Sequence, residues 1–215
     1  MRTIYVKIVR QEVVTLESIR NLWFILFHPR DTVQRWVEEP SSKRLWLLVI
    51  LAGICMNLDR AANTNAGDKY SLSSIVLGSL ILGLILGIIG WLVFSGLTYW
   101  AARWYGGHAS WKETRLAYAW GTIPYSVKLI FWVPQLLIFG KEMFTEWTPS
   151  VNESVLFATL MFIFAVIEIV LTIWSFVFLS QCIAEVNGFS AWKGLASVIT
   201  IPLILFVLLL FILLL

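Results

Sequence analysis

This chain is short of charge. Asp, Glu, Lys and Arg make up only 13% of its 215 residues, where a soluble domain carries about one quarter. The apolar 59% falls in long charge-free blocks rather than short alternating runs. A soluble enzyme with a single hydrophobic anchor is therefore excluded. Cysteine is equally sparse: Cys55 and Cys182 both lie inside apolar stretches, which argues against a disulfide framework and predicts two small packed hydrophobes. The two histidines, His28 and His108, sit in no metal-ligand spacing and are expected to be polar interfacial residues. With no Gly-x-Ser-x-Gly and no phosphate-binding loop after a strand, no catalysis, cofactor or metal is expected. A net charge of +3 is too small to suggest nucleic acid as a partner. No secretory signal is visible, since eight Lys or Arg and five Asp or Glu precede the first long apolar block, so the amino-terminal segment is expected to persist.

What is present in abundance is membrane-spanning sequence. A helix crossing a hydrocarbon core of about 30 Å needs about 20 residues, and five stretches qualify, at about 45–62, 75–101, 116–139, 155–183 and 194–215. The first is shortened by Asp59 and Arg60, which places its far end at the interface. The second carries no charge and ends in Trp100, Arg103, Trp104 and Tyr105, a set suited to headgroups. The third contains Lys128 between Pro124 and Pro134, so it is expected to be kinked or broken. An all-α bundle of five transmembrane helices is the predicted fold for 45–215, the lipid bilayer its first partner.

Orientation follows from the connections. Residues 1–44 hold eight Lys or Arg, the 102–115 loop adds Arg103, Lys112 and Arg115, and the 184–193 loop adds Lys193. The other side has Arg60, Lys69 and Lys141. Twelve against three predicts a cytoplasmic amino terminus and a carboxyl terminus outside. Trp23, Trp36, Trp46, Trp100, Trp104, Trp111 and Trp192 fall near the cytoplasmic boundaries and read as an aromatic belt.

Residues 1–44 read as an amphipathic cytoplasmic segment. Leu22 to Phe27 is too short to span, and Val33, Trp36 and Val37 recur at helical spacing opposite Arg30, Gln34, Arg35 and Glu38 before Glu39-Pro40. It serves either as an anchor that orients the first span or as a binding element for a partner or a curved membrane.

Two turns resemble one another. Gly107-His108-Ala109-Ser110-Trp111-Lys112 leads to Thr122-Ile123-Pro124, and Gly188-Phe189-Ser190-Ala191-Trp192-Lys193 leads to Thr200-Ile201-Pro202. A parallel duplication of two-span units would explain the pair, and so would a shared need for a tight interfacial turn, with Gly ending one helix and Ser capping the next.

These turns, Gly106 to Thr114 and Gly188 to Lys193, together with His28-Pro29-Arg30-Asp31-Thr32-Val33 through Glu38-Glu39-Pro40, resemble the Yip domain family of Ypt-interacting membrane proteins. The likeness runs over about residues 20–213 and is nearer to the bacterial branch. It implies five spans and a non-enzymatic role in organising membranes or membrane-protein partners from the cytoplasmic face of, in a bacterium, the inner membrane. The residues carrying it are Gly106, Gly107, Ser110, Trp111, Lys112, Gly188, Phe189, Ser190, Trp192 and Lys193. The Asp-Leu-Tyr-Gly-Pro-like motif of the eukaryotic branch is missing from the amino-terminal segment, so binding of small Rab-type GTPases does not carry over.

Two ionisable residues lie near mid-depth, Lys128 in the third stretch and Glu168 in the fourth. They form a structural pair, part of an ion or proton relay for a small transporter or channel, or two independent groups. Pro124, Pro134, Gln135 and Thr172 add the broken helix and polar lining that transporters use. On the second stretch, Ser79, Gly83, Gly87 and Gly90 form a small-residue face for close helix packing, inside the bundle or in a homo-oligomer.

Overall fold

The computed structural model describes residues 42–214. Among these the chain is helical with no strands, and five helical segments are long and apolar enough to cross a membrane. The expected amphipathic segment before residue 42 lies outside the described residues. The long elements are α1 (Ser42–Asn63), α2 (Leu72–Trp104), α3 (Trp111–Gly121), α4 (Ile123–Phe139), α6 (Val155–Asn187) and α7 (Ala191–Leu214), with a short α5 (Pro149–Glu153). At about 1.5 Å per residue, the 33 residues of α2 and of α6 reach about 50 Å, longer than the hydrocarbon core of about 30 Å.

Helix ends are set locally. Ser71 caps α2 by accepting from the Ser74 N–H at 3.3 Å. Ser110 caps α3 in a reciprocal box: the Glu113 N–H donates to Ser110 Oγ at 3.3 Å, and the Ser110 N–H donates to Glu113 Oε2 at 2.7 Å. The third span is two helices. Thr122 sits between α3 and α4 with φ −85° and ψ 2°, and Pro124, with no N–H to give, falls in the first turn of α4. The break therefore comes just before Pro124, while Pro134 is carried inside α4.

The bundle is built as two hairpins with the broken span between them. The hairpin α1–α2 is closed by glycine: a Cβ on Gly83 would lie 2.6 Å from Ile54 Cα, and one on Gly87 would lie 2.8 Å from Gly53 Cα. Gly83 and Gly87 thus face α1 within the molecule and Ser79 is buried one turn before them, whereas Gly90 has room, its nearest neighbour being Met56 Cε at 3.6 Å. The hairpin α6–α7 approaches closely at Gly194, which abuts the Ser180 carbonyl. The pair α3–α4 packs on both hairpins, and α2 meets α7 directly.

Buried side chains gather in two main clusters. Ala117, Trp120, Phe178, Leu179, Cys182, Ile183 and Val198 form one near the α6–α7 turn, and Cys55, Leu58, Ile75, Trp132 and Phe144 form the other. Both cysteines are free and buried. The second cluster lies under the loops joining α1 to α2 and α4 to α6, where the Glu146 N–H reaches Asp68 Oδ2 at 3.5 Å and Trp132 stacks on Phe144 at 5.6 Å. Beyond Pro202, α7 exposes one large apolar side chain after another from Leu203 to Leu213, a surface suited to lipid rather than water.

Candidate functional site

The α3–α4 break sets the register of a polar stripe. Tyr125, Lys128, Trp132 and Gln135 follow at steps of three, four and three, which puts them on one side of α4. That side meets α1 and α6, and each brings one carboxylate. Lys128 is 4% exposed, and its Nζ lies 2.6 Å from Asp59 Oδ2 of α1 and 3.7 Å from Glu168 Oε2 of α6. The pairing with Glu168 is therefore the longer of two. Asp59, which the sequence marks only as the shortened end of the first span, is the principal partner. It also accepts from the Tyr125 hydroxyl at 2.8 Å and from Trp132 Nε1 at 3.1 Å.

Glu168 is anchored separately, with Gln135 Nε2 donating to its Oε1 at 2.7 Å. One turn on, the Thr172 hydroxyl donates to the Glu168 carbonyl at 2.7 Å. Gln135 is fully buried, and its Oε1 has no hydrogen-bond partner. Two carboxylates thus share one ammonium across three helices, with aromatic N–H and O–H donors on the nearer one. Such a network neutralises most of the cost of ions at membrane depth and ties α1, α4 and α6 together. Among the described residues no set of three His, Cys, Asp or Glu is arranged to hold a metal ion.

Asp59, Tyr125 and Trp132 had a signal in the sequence. A Tyr, Lys, Trp, Gln series at helical spacing marks one polar face, and a lysine on such a face requires a counter-ion from another span.

The second constellation lies at the end of the bundle where α1 begins. Gly106 and Gly188 take left-handed conformations, φ 82° and 68°, after α2 and α6. Each is followed by the same six-residue closure: the Gly107 N–H donates to the Ala102 carbonyl at 2.9 Å, and the Phe189 N–H donates to the Ala184 carbonyl at 3.1 Å. Gly106, not Gly107, is therefore the conformational counterpart of Gly188, one residue off the alignment suggested by the repeated Trp-Lys. Ser110 and Ser190 both precede the next helix, but the second turn reaches its serine two residues sooner.

The two turns are joined by a residue outside the repeated motif. Buried Asn187 accepts from the Ala109 N–H through Oδ1 at 3.2 Å and donates through Nδ2 to the Ile183 carbonyl at 2.9 Å. Gly107 packs so closely on Asn187 that a Cβ would collide with its amide oxygen. Lys193 Nζ donates to the Tyr105 carbonyl at 3.3 Å, and the Tyr105 and Thr200 hydroxyls are 2.7 Å apart. Around this clamp Trp100, Trp104, Trp111, Trp192, Lys112 and His108 are exposed, and Phe189 is half-buried.

No curated protein and no solved structure matches the chain. The Yip1 domain matches residues 23–214, a stretch that takes in all five spans, the charged network and both turns: the chain belongs to the Yip1 domain family.

Proposed function

We propose that this multi-pass membrane protein is a non-enzymatic organiser of membrane or membrane-protein partners, acting from its cytoplasmic face in a bacterial inner membrane. In this reading the α2–α3 and α6–α7 turns and the amino terminus are cytoplasmic, in line with the Lys and Arg asymmetry. The observation that carries it is the clamp through Asn187, which joins two turns 78 residues apart into one body. Tryptophan and lysine project around a fixed centre there, an arrangement suited to headgroups and to a docked partner segment.

A second reading, passage of an ion or small solute, draws on the charged network and on the unpartnered Gln135 Oε1. One comparison separates them. In liposomes of purified protein the organiser conducts nothing, and crosslinking in native membranes recovers defined partners that disappear when residues 17–39 are deleted. Flux that vanishes with Glu168→Gln would overturn the organiser in favour of transport.

A further inference from the structure

Between the two hairpins lies a cavity of about 640 Å³, walled by all the spans and floored by the α3–α4 break. Its surface is almost wholly apolar. Four of the six hydroxyls that line it are turned to other partners, Thr98 and Tyr118 being the other two: Thr122 donates to the Ala119 carbonyl, Thr172 to the Glu168 carbonyl, Ser175 to the Leu171 carbonyl and Tyr125 to Asp59. A polar solute would find little to bind. The volume lies within the roughly 300–1,000 Å³ of small-molecule sites.

The cavity is also continuous with the lipid-facing surface. Met56 of α1, Phe94 of α2, Phe176 of α6 and Ile199 of α7 line it and are exposed as well. The α2 wall is thinned by Gly87 and Gly90, and a Cβ on Gly90 would meet nothing nearer than Met56 Cε at 3.6 Å. The geometry points to a binding site for one acyl chain of a membrane phospholipid, which enters laterally between the hairpins and lies across the broken span. Inside the spans an apolar ligand that reaches a lateral opening arrives from the bilayer, where phospholipid chains are the solvent.

The test uses the full-length protein in vesicles of phosphatidylethanolamine and phosphatidylglycerol doped with a phospholipid carrying a diazirine on its acyl chain. After illumination, adducts are mapped by mass spectrometry. Adducts are expected on the cavity-lining residues Tyr118, Thr122, Tyr125, Thr172, Ser175 and Leu179, in addition to the outward residues Leu203–Leu213 and the exposed Ile173, Phe176 and Val177. Gly90→Leu and Ser175→Phe fill the cavity from opposite walls. Each is expected to lower cavity labelling at least five-fold while leaving the α7 labelling unchanged, with gel-filtration profile and melting temperature checked alongside. Labelling confined to outward residues overturns the proposal even if neither variant folds. So does cavity labelling that persists in both folded variants, or cavity labelling by a diazirine fatty acid that excess phospholipid does not displace.

Discussion

Asp59→Leu tests the charged network most directly. The substitution removes the carboxylate 2.6 Å from Lys128 Nζ and the acceptor for Tyr125 and Trp132, and leaves Lys128 with Glu168 at 3.7 Å. Breaking a buried ion pair from one side costs about 3–5 kcal/mol, and hydrogen bonds between membrane helices average about 0.6 kcal/mol each. Residual attraction to Glu168 and the partial exposure of Asp59, 17% at the side chain, reduce the total to about 4 kcal/mol for Asp59→Leu and about 3 kcal/mol for Lys128→Leu. The double variant removes the pair together. It should cost about 4 kcal/mol, well short of the roughly 7 expected from independent sites, a coupling of about 3 kcal/mol. Glu168→Gln should cost only about 1 kcal/mol, because its ion pair is longer and glutamine can keep the bond to Gln135. Reversible unfolding in mixed micelles by dodecyl sulfate titration, followed by far-ultraviolet circular dichroism, measures all four. Additivity of the two leucine substitutions to within about 0.5 kcal/mol, or Glu168→Gln costing more than Asp59→Leu, would refute the assignment of Asp59 as principal partner.

Three further outcomes follow from the packing. Gly83→Val drives a branched side chain into the backbone of α1 at Ile54 and should destabilise by about 3 kcal/mol or more, read by the same titration; Gly90→Val, where a Cβ meets nothing nearer than Met56 Cε at 3.6 Å, should cost less than half as much. Asn187→Ala leaves the Ala109 N–H without its acceptor and should cost about 1–3 kcal/mol, with amide exchange accelerated at residues 107–110 and unchanged in the middle of α1. Ser110→Ala breaks the capping box and should cost about 1 kcal/mol, largely restored by Ser110→Asp but not by Ser110→Val.

The five spans were legible because hydropathy is a property of one helix at a time, and each stretch holds enough apolar residues on its own. The limits of α2 and α6 extended three or four residues beyond the apolar runs because Trp104 and Asn187 continue the helix into the headgroup zone, where hydropathy no longer counts them. The role of Asp59 as a partner was missed for the same reason: a window that sums one segment treats a carboxylate only as an end, while its partner is 69 residues away. Once Lys128 is seen at the centre of a span, the four-residue stripe on α4 points to where counter-ions must come from, but only packing decides between Asp59 and Glu168. The close approach of Gly83 and Gly87 was visible as spacing. That it serves α1 depended on Gly53, a single glycine with no repeat to mark it.

The separation of Asp59 from Lys128 has a consequence in time. Synthesis proceeds at about 5–20 residues per second, so Lys128, 69 residues further on, follows roughly 3–14 s later. Within that interval α2, which runs from Leu72 to Trp104, is itself made, and Asp59 has no Lys128 to meet. Asp59 lies eighteen residues into α1, near the end that joins α2, so the carboxylate is made before the helix that carries its ammonium partner. A chain that stops before residue 128 keeps an unmatched carboxylate, a mark by which an incomplete copy differs from a finished one.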